Sequence, residues 1–405
     1  MIKRQTLIAL VLPMACTLLF WTVLPAAYRV SESSDFSEFY EPTAQRILAG
    51  QGITTESGAV MMRTPPGYPV IVAATIGAGR LVGVGEGRAL DLLALVCVAL
   101  SSLFLYLIAR DIWSGWIALV PSAAWSTYPL GLWLTKQPNS ELAFTPVLFA
   151  CAYALWKLTR NVRPRAGLVI AVGALAGAAM LVRPIALFLP LVCAALVLLL
   201  AKEWTRRERW VAAVGVLVIA LLVTLPWELE ASHAAGHFVL LSDAGVPTMR
   251  DGLTFGVNAR KDYRAGIYVP DAARTVMISF YAQYDDLKSF GAVARAMLAE
   301  TARHPLGMVE LIALKLLRAW YGTDSQRLDG YIALIQVVYL GALAWAGYVA
   351  WRAGGERKRL TIIVASFLLI FWVMGVLALP LVRYMVPGIG LTFALLPAVR
   401  EKVVR

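Results

Sequence analysis

Ten apolar runs of roughly membrane-spanning length divide the sequence and leave few folds open to it. They lie at about 6–27, 89–109, 114–132, 141–158, 166–182, 184–201, 210–227, 329–351, 360–379 and 382–399. About 20 apolar residues in a helix cross the ~30 Å hydrocarbon core of a bilayer. Only helices and closed barrels satisfy their own backbone polar groups at that depth. The chain has 405 residues, 60% of them hydrophobic and 15% charged, against about 25% charged in soluble domains. The expected fold is therefore all-α and polytopic, with about ten transmembrane helices. No long repeat, low-complexity tract or separate soluble domain interrupts it, so 1–405 reads as one integral membrane domain.

The net charge of +12 would point to nucleic acid in a soluble chain. Here the basic residues crowd into short loops. Lys157, Arg160, Arg163 and Arg165 follow the fourth run, Lys202, Arg206, Arg207 and Arg209 precede the seventh, and RAGGERKRL precedes the ninth. All of them fall on the side of Lys3 and Arg4, which makes that side cytoplasmic. The expected partner of these loops is the lipid bilayer with its anionic headgroups, not nucleic acid. The first run is longer than a signal-peptide core and LPAAYRV lacks a small-x-small cleavage site, so it reads as an uncleaved helix. Both termini are then cytoplasmic. Cys16, Cys97, Cys151 and Cys193 all sit in apolar runs, where a free thiol behaves as a small hydrophobe.

Two long polar stretches, 28–69 and 228–328, fall on the outer side and offer room for chemistry in water. In the first, Phe39, Ala44, Ile47 and Leu48 have helical spacing and Gly50 suits a C-cap, which predicts a short interfacial helix. A second helix from Pro65 is expected to be partly buried without crossing. Asp35 sits just past the first run, with Glu38 and Glu41 nearby. A carboxylate there either takes a proton from an acceptor or stands as a solvated loop acid, and position alone leaves both open. Arg63 precedes TPPGYP, whose prolines restrict the backbone behind it. A cation on such a turn suits a phosphate, carried by a substrate or by an ordinary lipid. Glu141 opens the fourth run, either as a site residue or as an acid at a helix N-terminus. Arg183-Pro184 separates the fifth and sixth runs, and Arg383-Tyr384 opens the last. An Arg at membrane depth is costly, which marks Arg183 as a candidate. Arg63, Arg183 and Arg383 would together place three cations at the outer end of the helices, as a phosphodiester needs. HPLGMVELIALKLLRAWYG reads as an amphipathic helix with Lys315 and Arg318 on its polar face. His233 and His237 have i, i+4 spacing but no evident third metal ligand, and Gly236 weakens a helix between them. The patterns GxxxxGK(S/T), GxSxG and HExxH do not occur.

In order, these features resemble a family. An acid past the first span, then Y…A..IL.G.G, then RTPPGYP, is similar to the membrane glycosyltransferases of the C-type fold. Within them it resembles the bacterial protein-mannosyltransferase-like and aminoarabinose-transferase-like proteins. PNSELAF, LVRPIALFLP at 181–190, LPWELEASHAAGHFVLLSDAG at 225–245, HPLGMVELIALKLLRAW at 304–320 and RYMVP at 383–387 extend the likeness over most of the chain. The resemblance implies transfer of a hexose or pentose from a polyprenyl-phosphate donor to an envelope glycolipid, polysaccharide or protein. The reaction would take place on the outer face of the cytoplasmic (inner) membrane. It implies Asp35 as the base and Arg63 on the carrier phosphate, with Arg183 and Arg383 near the cavity. Glu141, Tyr384 and Glu38 join them as expected substrate contacts. No cofactor is required and a divalent metal is optional. Phe36 follows Asp35 where many relatives have a second acid, and PWELE stands where they carry a basic residue and Asn, which leaves the acceptor open. A transporter or flippase is the alternative, but such proteins carry internal repeats and polar residues at mid-membrane.

Overall fold

The computed structural model describes residues 4–25, 28, 35–258 and 268–403. Lys3, residues 29–34 of the first outer loop and the last two residues of the chain lie outside the described residues. Among the described residues secondary structure is helical, apart from an isolated antiparallel bridge between Thr54 and Val60. Seven helices among the described residues are long and apolar enough to cross a membrane: Arg4–Val23, Glu86–Arg110, Ser140–Arg160, Arg206–Ala235, Asp329–Ala353, Gly355–Leu377 and Val382–Arg400. The runs at 166–182 and 184–201 form shorter apolar helices. The run at 114–132 is broken into a 3-10 turn, Gly115–Leu119, and two short helices, Val120–Thr127 and Pro129–Leu134. Pro129 explains the second break, because it holds Tyr128 in an extended conformation.

The chain divides into two compact units. The first comprises Met1–Ser242, Leu343–Leu368 and Pro387–Arg405. Its central element is α1 (Ser140–Arg160), which is buried along most of its length. Beside it, α2 (Ala166–Val182) packs closely on α3 (Arg206–Ala235). A Cβ at Gly173 would meet the Val216 carbonyl at 2.8 Å, and one at Gly177 would meet the Ala220 carbonyl at 2.8 Å. This is the small-xxx-small contact that lets apolar helices approach where no water drives them together. At the C-terminal end of α1, Asp111 accepts from Lys157 at 3.0 Å and pairs with Arg160 at 3.3 Å, and Glu356 pairs with Arg160 and Arg359. The charged segments at 110–111, 157–160 and 356–359 are thereby gathered at one end of this unit. Ser140 and Glu141 stand at the other end of α1, about 30 Å away at 1.5 Å per residue.

The second unit comprises Asp243–Ala342 and Leu369–Val386. Its core gathers Phe255, Val276, Met277, Phe280 and Leu311, all fully buried. Two of its helices, α4 (Asp271–Ala282) and α5 (Pro305–Arg318), approach closely because Gly307 lies against the Ala272 carbonyl. Here α5 differs from the sequence reading. Lys315 and Arg318 lie on its buried face, 3% and 1% exposed, while Leu306, Val309, Ile312 and Leu317 face outward. The reason is a set of distant partners. Arg318 donates to the Pro380 carbonyl at 3.1 Å and the Thr323 carbonyl at 2.8 Å, pairs with Asp329 at 3.2 Å, and stacks on Phe255. The Trp372 indole N–H also donates to the Leu316 carbonyl at 2.9 Å, tying the end of α5 to the Leu369–Val386 segment of the same unit.

Burial lowers the pKa of the Lys315 ammonium from 10.5 to about 7. Between those values the unfolded chain holds a proton that the folded chain has released, so stability rises with pH across that window. Below it both states are protonated and the full burial cost is present. Lys315→Met is therefore expected to stabilise the protein by on the order of 3 kcal/mol below about pH 7, and by less towards pH ~10. Thermal melts of both proteins across that range check this; an equal gain at every pH would contradict it.

Candidate active site

The first unit brings Asp35, Arg63, Glu141 and Arg183 into relation through short local elements. Asp35 has helical dihedrals and is exposed. It leads into a single π-helical turn, Phe36–Tyr40, and then into α-helix Glu41–Leu48, with Gly50 in the left-handed region just beyond it. This is the short helix expected from the spacing. Glu38 is exposed and Glu41 half-buried on the same segment.

From there the chain folds back through a small hairpin. Thr55 N–H donates to the Ala59 carbonyl at 2.7 Å, Met61 N–H donates to the Ile53 carbonyl at 3.0 Å, and Arg46 Nε donates to Thr54 Oγ1 at 2.8 Å. The return delivers Arg63 to the π-turn, where its guanidinium lies 5.8 Å from the Phe39 ring centroid. Among the described residues no carboxylate pairs with Arg63. Past it, Pro65-Pro66 leads into helix Gly67–Leu81, as the prolines foretell. Gly67 is pressed against the last turn of α2: a Cβ there would meet the Leu181 carbonyl at 2.6 Å. Gly67, four residues after Arg63, is thus seated on the backbone two residues before Arg183.

Arg183 ends α2 in an extended conformation, as expected before Pro184. It is mostly buried and forms an ion pair with Glu141 at 2.6 Å. One of its N–H groups also donates to Ser140 Oγ at 3.3 Å. A buried cation that is paired and hydrogen-bonded is tolerated where an isolated one would not be. Tyr40 completes the group. Its hydroxyl donates to Ser140 Oγ at 3.5 Å, and its ring packs edge-on to Tyr68 with centroids 4.8 Å apart. Burial pushes the Tyr40 phenol pKa up; Arg183 and the Ser140 bond oppose this, while Glu141 and Asp35 add to it. Tyr40 and Ser140 were missed as site residues in the sequence reading. Their only signals were the Tyr of the Y…A..IL.G.G pattern and the Ser that precedes Glu141.

Arg383 and Tyr384 belong to the second unit. There Arg383 pairs with Asp324 at 3.5 Å and donates to the Tyr384 hydroxyl at 3.3 Å. His233 lies in the last turn of α3, which Gly236 ends with φ 69°, so His237 falls beyond the helix. Among the described residues no three His, Cys, Asp or Glu side chains form a metal-holding group.

Residues 64–228 match the family profile described as dolichyl-phosphate-mannose-protein mannosyltransferase. The matched stretch contains Ser140, Glu141 and Arg183 and begins just after Arg63. No curated protein sequence matches the chain. Among solved structures, the oligosaccharyltransferase AglB from Archaeoglobus fulgidus, in complex with an inhibitory peptide and a dolichol-phosphate, is similar with a TM-score of 0.57. Its identity is 12%, over 99% of this chain and 51% of that one. The apo oligosaccharyltransferase of Archaeoglobus fulgidus gives a TM-score of 0.57 at 13% identity, over the same shares. ArnT from Cupriavidus metallidurans bound to undecaprenyl phosphate gives 0.42 at 15% identity, over 97% of this chain and 77% of that one. The chain spans about half the length of the two oligosaccharyltransferases. It has the all-helical C-type membrane glycosyltransferase fold, in agreement with the resemblance drawn from its motifs.

Proposed function

We propose that this protein transfers a sugar from a polyprenyl-phosphate carrier to an envelope acceptor on the outer face of the cytoplasmic membrane. The observation that supports it most is the return of Arg63 onto the π-turn that Asp35 begins, which brings to that turn both an exposed carboxylate and a cation that pairs with no carboxylate among the described residues. The acceptor hydroxyl gives its proton to Asp35 as its oxygen bonds to the anomeric carbon. The bond from that carbon to the phosphate oxygen breaks, and the carrier phosphate leaves with the electron pair. Arg63 stabilises the charge that develops on it. A lipid phosphate is already a good leaving group, so an activated acceptor and one well-placed cation meet most of the chemical demand. The acceptor is a glycolipid, polysaccharide or protein of the envelope.

Arg63→Ala tests the phosphate role. The apparent KM for the lipid donor is expected to rise by about 10-fold, with the acceptor KM unchanged. Initial rates against labelled donor at saturating acceptor measure it, and an unchanged donor dependence removes Arg63 from the phosphate.

A further inference from the structure

We propose that the π-helical turn Phe36–Tyr40 is a register device, and that Tyr40 is a positioning residue holding the Asp35 face against the Ser140–Arg183–Glu141 group. This rests on the transferase reading of the same site.

Tyr40 is the fifth residue after Asp35. An α-helix turns about 100° per residue, so the two side chains would stand ~140° apart, on opposite faces. The segment is wound differently: Glu41 N–H donates to the Phe36 carbonyl, an i→i+5 bond. A π turn takes about 4.4 residues, so five residues carry the chain a little past a full turn and leave the side chains only ~50° apart. The carboxylate and the phenol then share a face, in keeping with the influence of the Asp35 charge on the Tyr40 hydroxyl. Single π turns are rare and concentrate at functional sites.

The other half of the device is the anchor. Tyr40 reaches Ser140 on α1, and Ser140 also takes an N–H from Arg183 at the end of α2. Arg183 is fixed in turn by Glu141. The loop segment is thereby tied directly to the start of α1, 100 residues on in sequence, and through Ser140 to Arg183 at the end of α2, a further 43 residues on. Arg183 and Glu141 act here as the frame on which Tyr40 is held, and Arg63 is the cation facing the carrier.

The test reads geometry apart from activity. In an Asp35→Cys protein, the rate of labelling by a polar maleimide reports how residue 35 is presented. Adding Tyr40→Phe, which keeps the ring on Tyr68, or deleting Ser37, which closes the π turn to an α turn, is expected to change that rate by about threefold or more. A Glu56→Cys reporter on the exposed hairpin should stay constant in both backgrounds. Rates within threefold of the Asp35→Cys parent in both cases overturn the proposal. In the otherwise native chain, Tyr40→Phe is expected to lower kcat by about 10-fold with the donor KM unchanged, the opposite of Arg63→Ala. A protein that moves no sugar would refute the transferase reading, and the labelling comparison would still decide this one.

Discussion

Asp35→Asn is expected to lower sugar transfer by about 10³-fold while leaving the fold intact. A positioned general base contributes 10²–10⁴-fold, and an amide of the same shape cannot take the acceptor's proton. The fold should survive because Asp35 is exposed and its backbone is held by the helical segment it begins. Glu56→Gln is the matched control. Glu56 is also exposed, on the hairpin beyond the helix Glu41–Leu48, so its loss should change the rate by less than about twofold. Steady-state rates for both variants, with thermal melts to verify folding, separate a base from a solvated acid. Full activity in Asp35→Asn would remove Asp35 from the chemistry.

The second large effect concerns stability. Arg318→Ala is expected to destabilise the second unit by about 4 kcal/mol, because removing one partner of a buried pair leaves the other charge uncompensated. The loss is more than one bond. Asp329, which also accepts from Thr323 N–H at 2.8 Å and from Thr323 Oγ1 at 2.6 Å, would lose its counter-charge. The Thr323 and Pro380 carbonyls would lose their donor, and Phe255 the cation on its face. Arg318→Met combined with Asp329→Leu should cost less than Arg318→Ala alone, since it removes both charges and keeps the volume. Denaturation in detergent measures both; equal losses would place the energy in packing rather than in the pair.

These residues also mark where the sequence could be read and where it could not. Long apolar runs such as those at about 89–109 and 210–227, which lie within the helices Glu86–Arg110 and Arg206–Ala235, declare themselves, because hydrocarbon admits little else. The run at 114–132 misleads because composition alone ignores Pro129, whose effect on Tyr128 breaks the helix. Segment Pro305–Arg318 carries apolar residues on two faces, and the default puts its charges outward. Arg318 turns inward only because Asp329 and the Pro380 carbonyl meet it there, contacts set by packing of remote segments. At the candidate site, the Arg63 turn is legible from its prolines and the α-helix after the loop acid from its spacing. The π turn is not legible, since it differs from an α turn by one hydrogen-bond register. Nor is the pairing of Arg183 with Glu141, which depends on the way α1 and α2 pack.

The central claim is that the Asp35–Arg63 segment moves a sugar off a lipid phosphate. Its most direct measurement uses purified protein in sealed vesicles, a polyprenyl-phosphate donor labelled in the sugar, and extracted envelope acceptors. Label is expected to pass to the acceptor and unglycosylated carrier phosphate to accumulate, with both products lost in Asp35→Asn. Label that stays on the carrier while crossing the bilayer, or transfer that persists in Asp35→Asn, would contradict the claim.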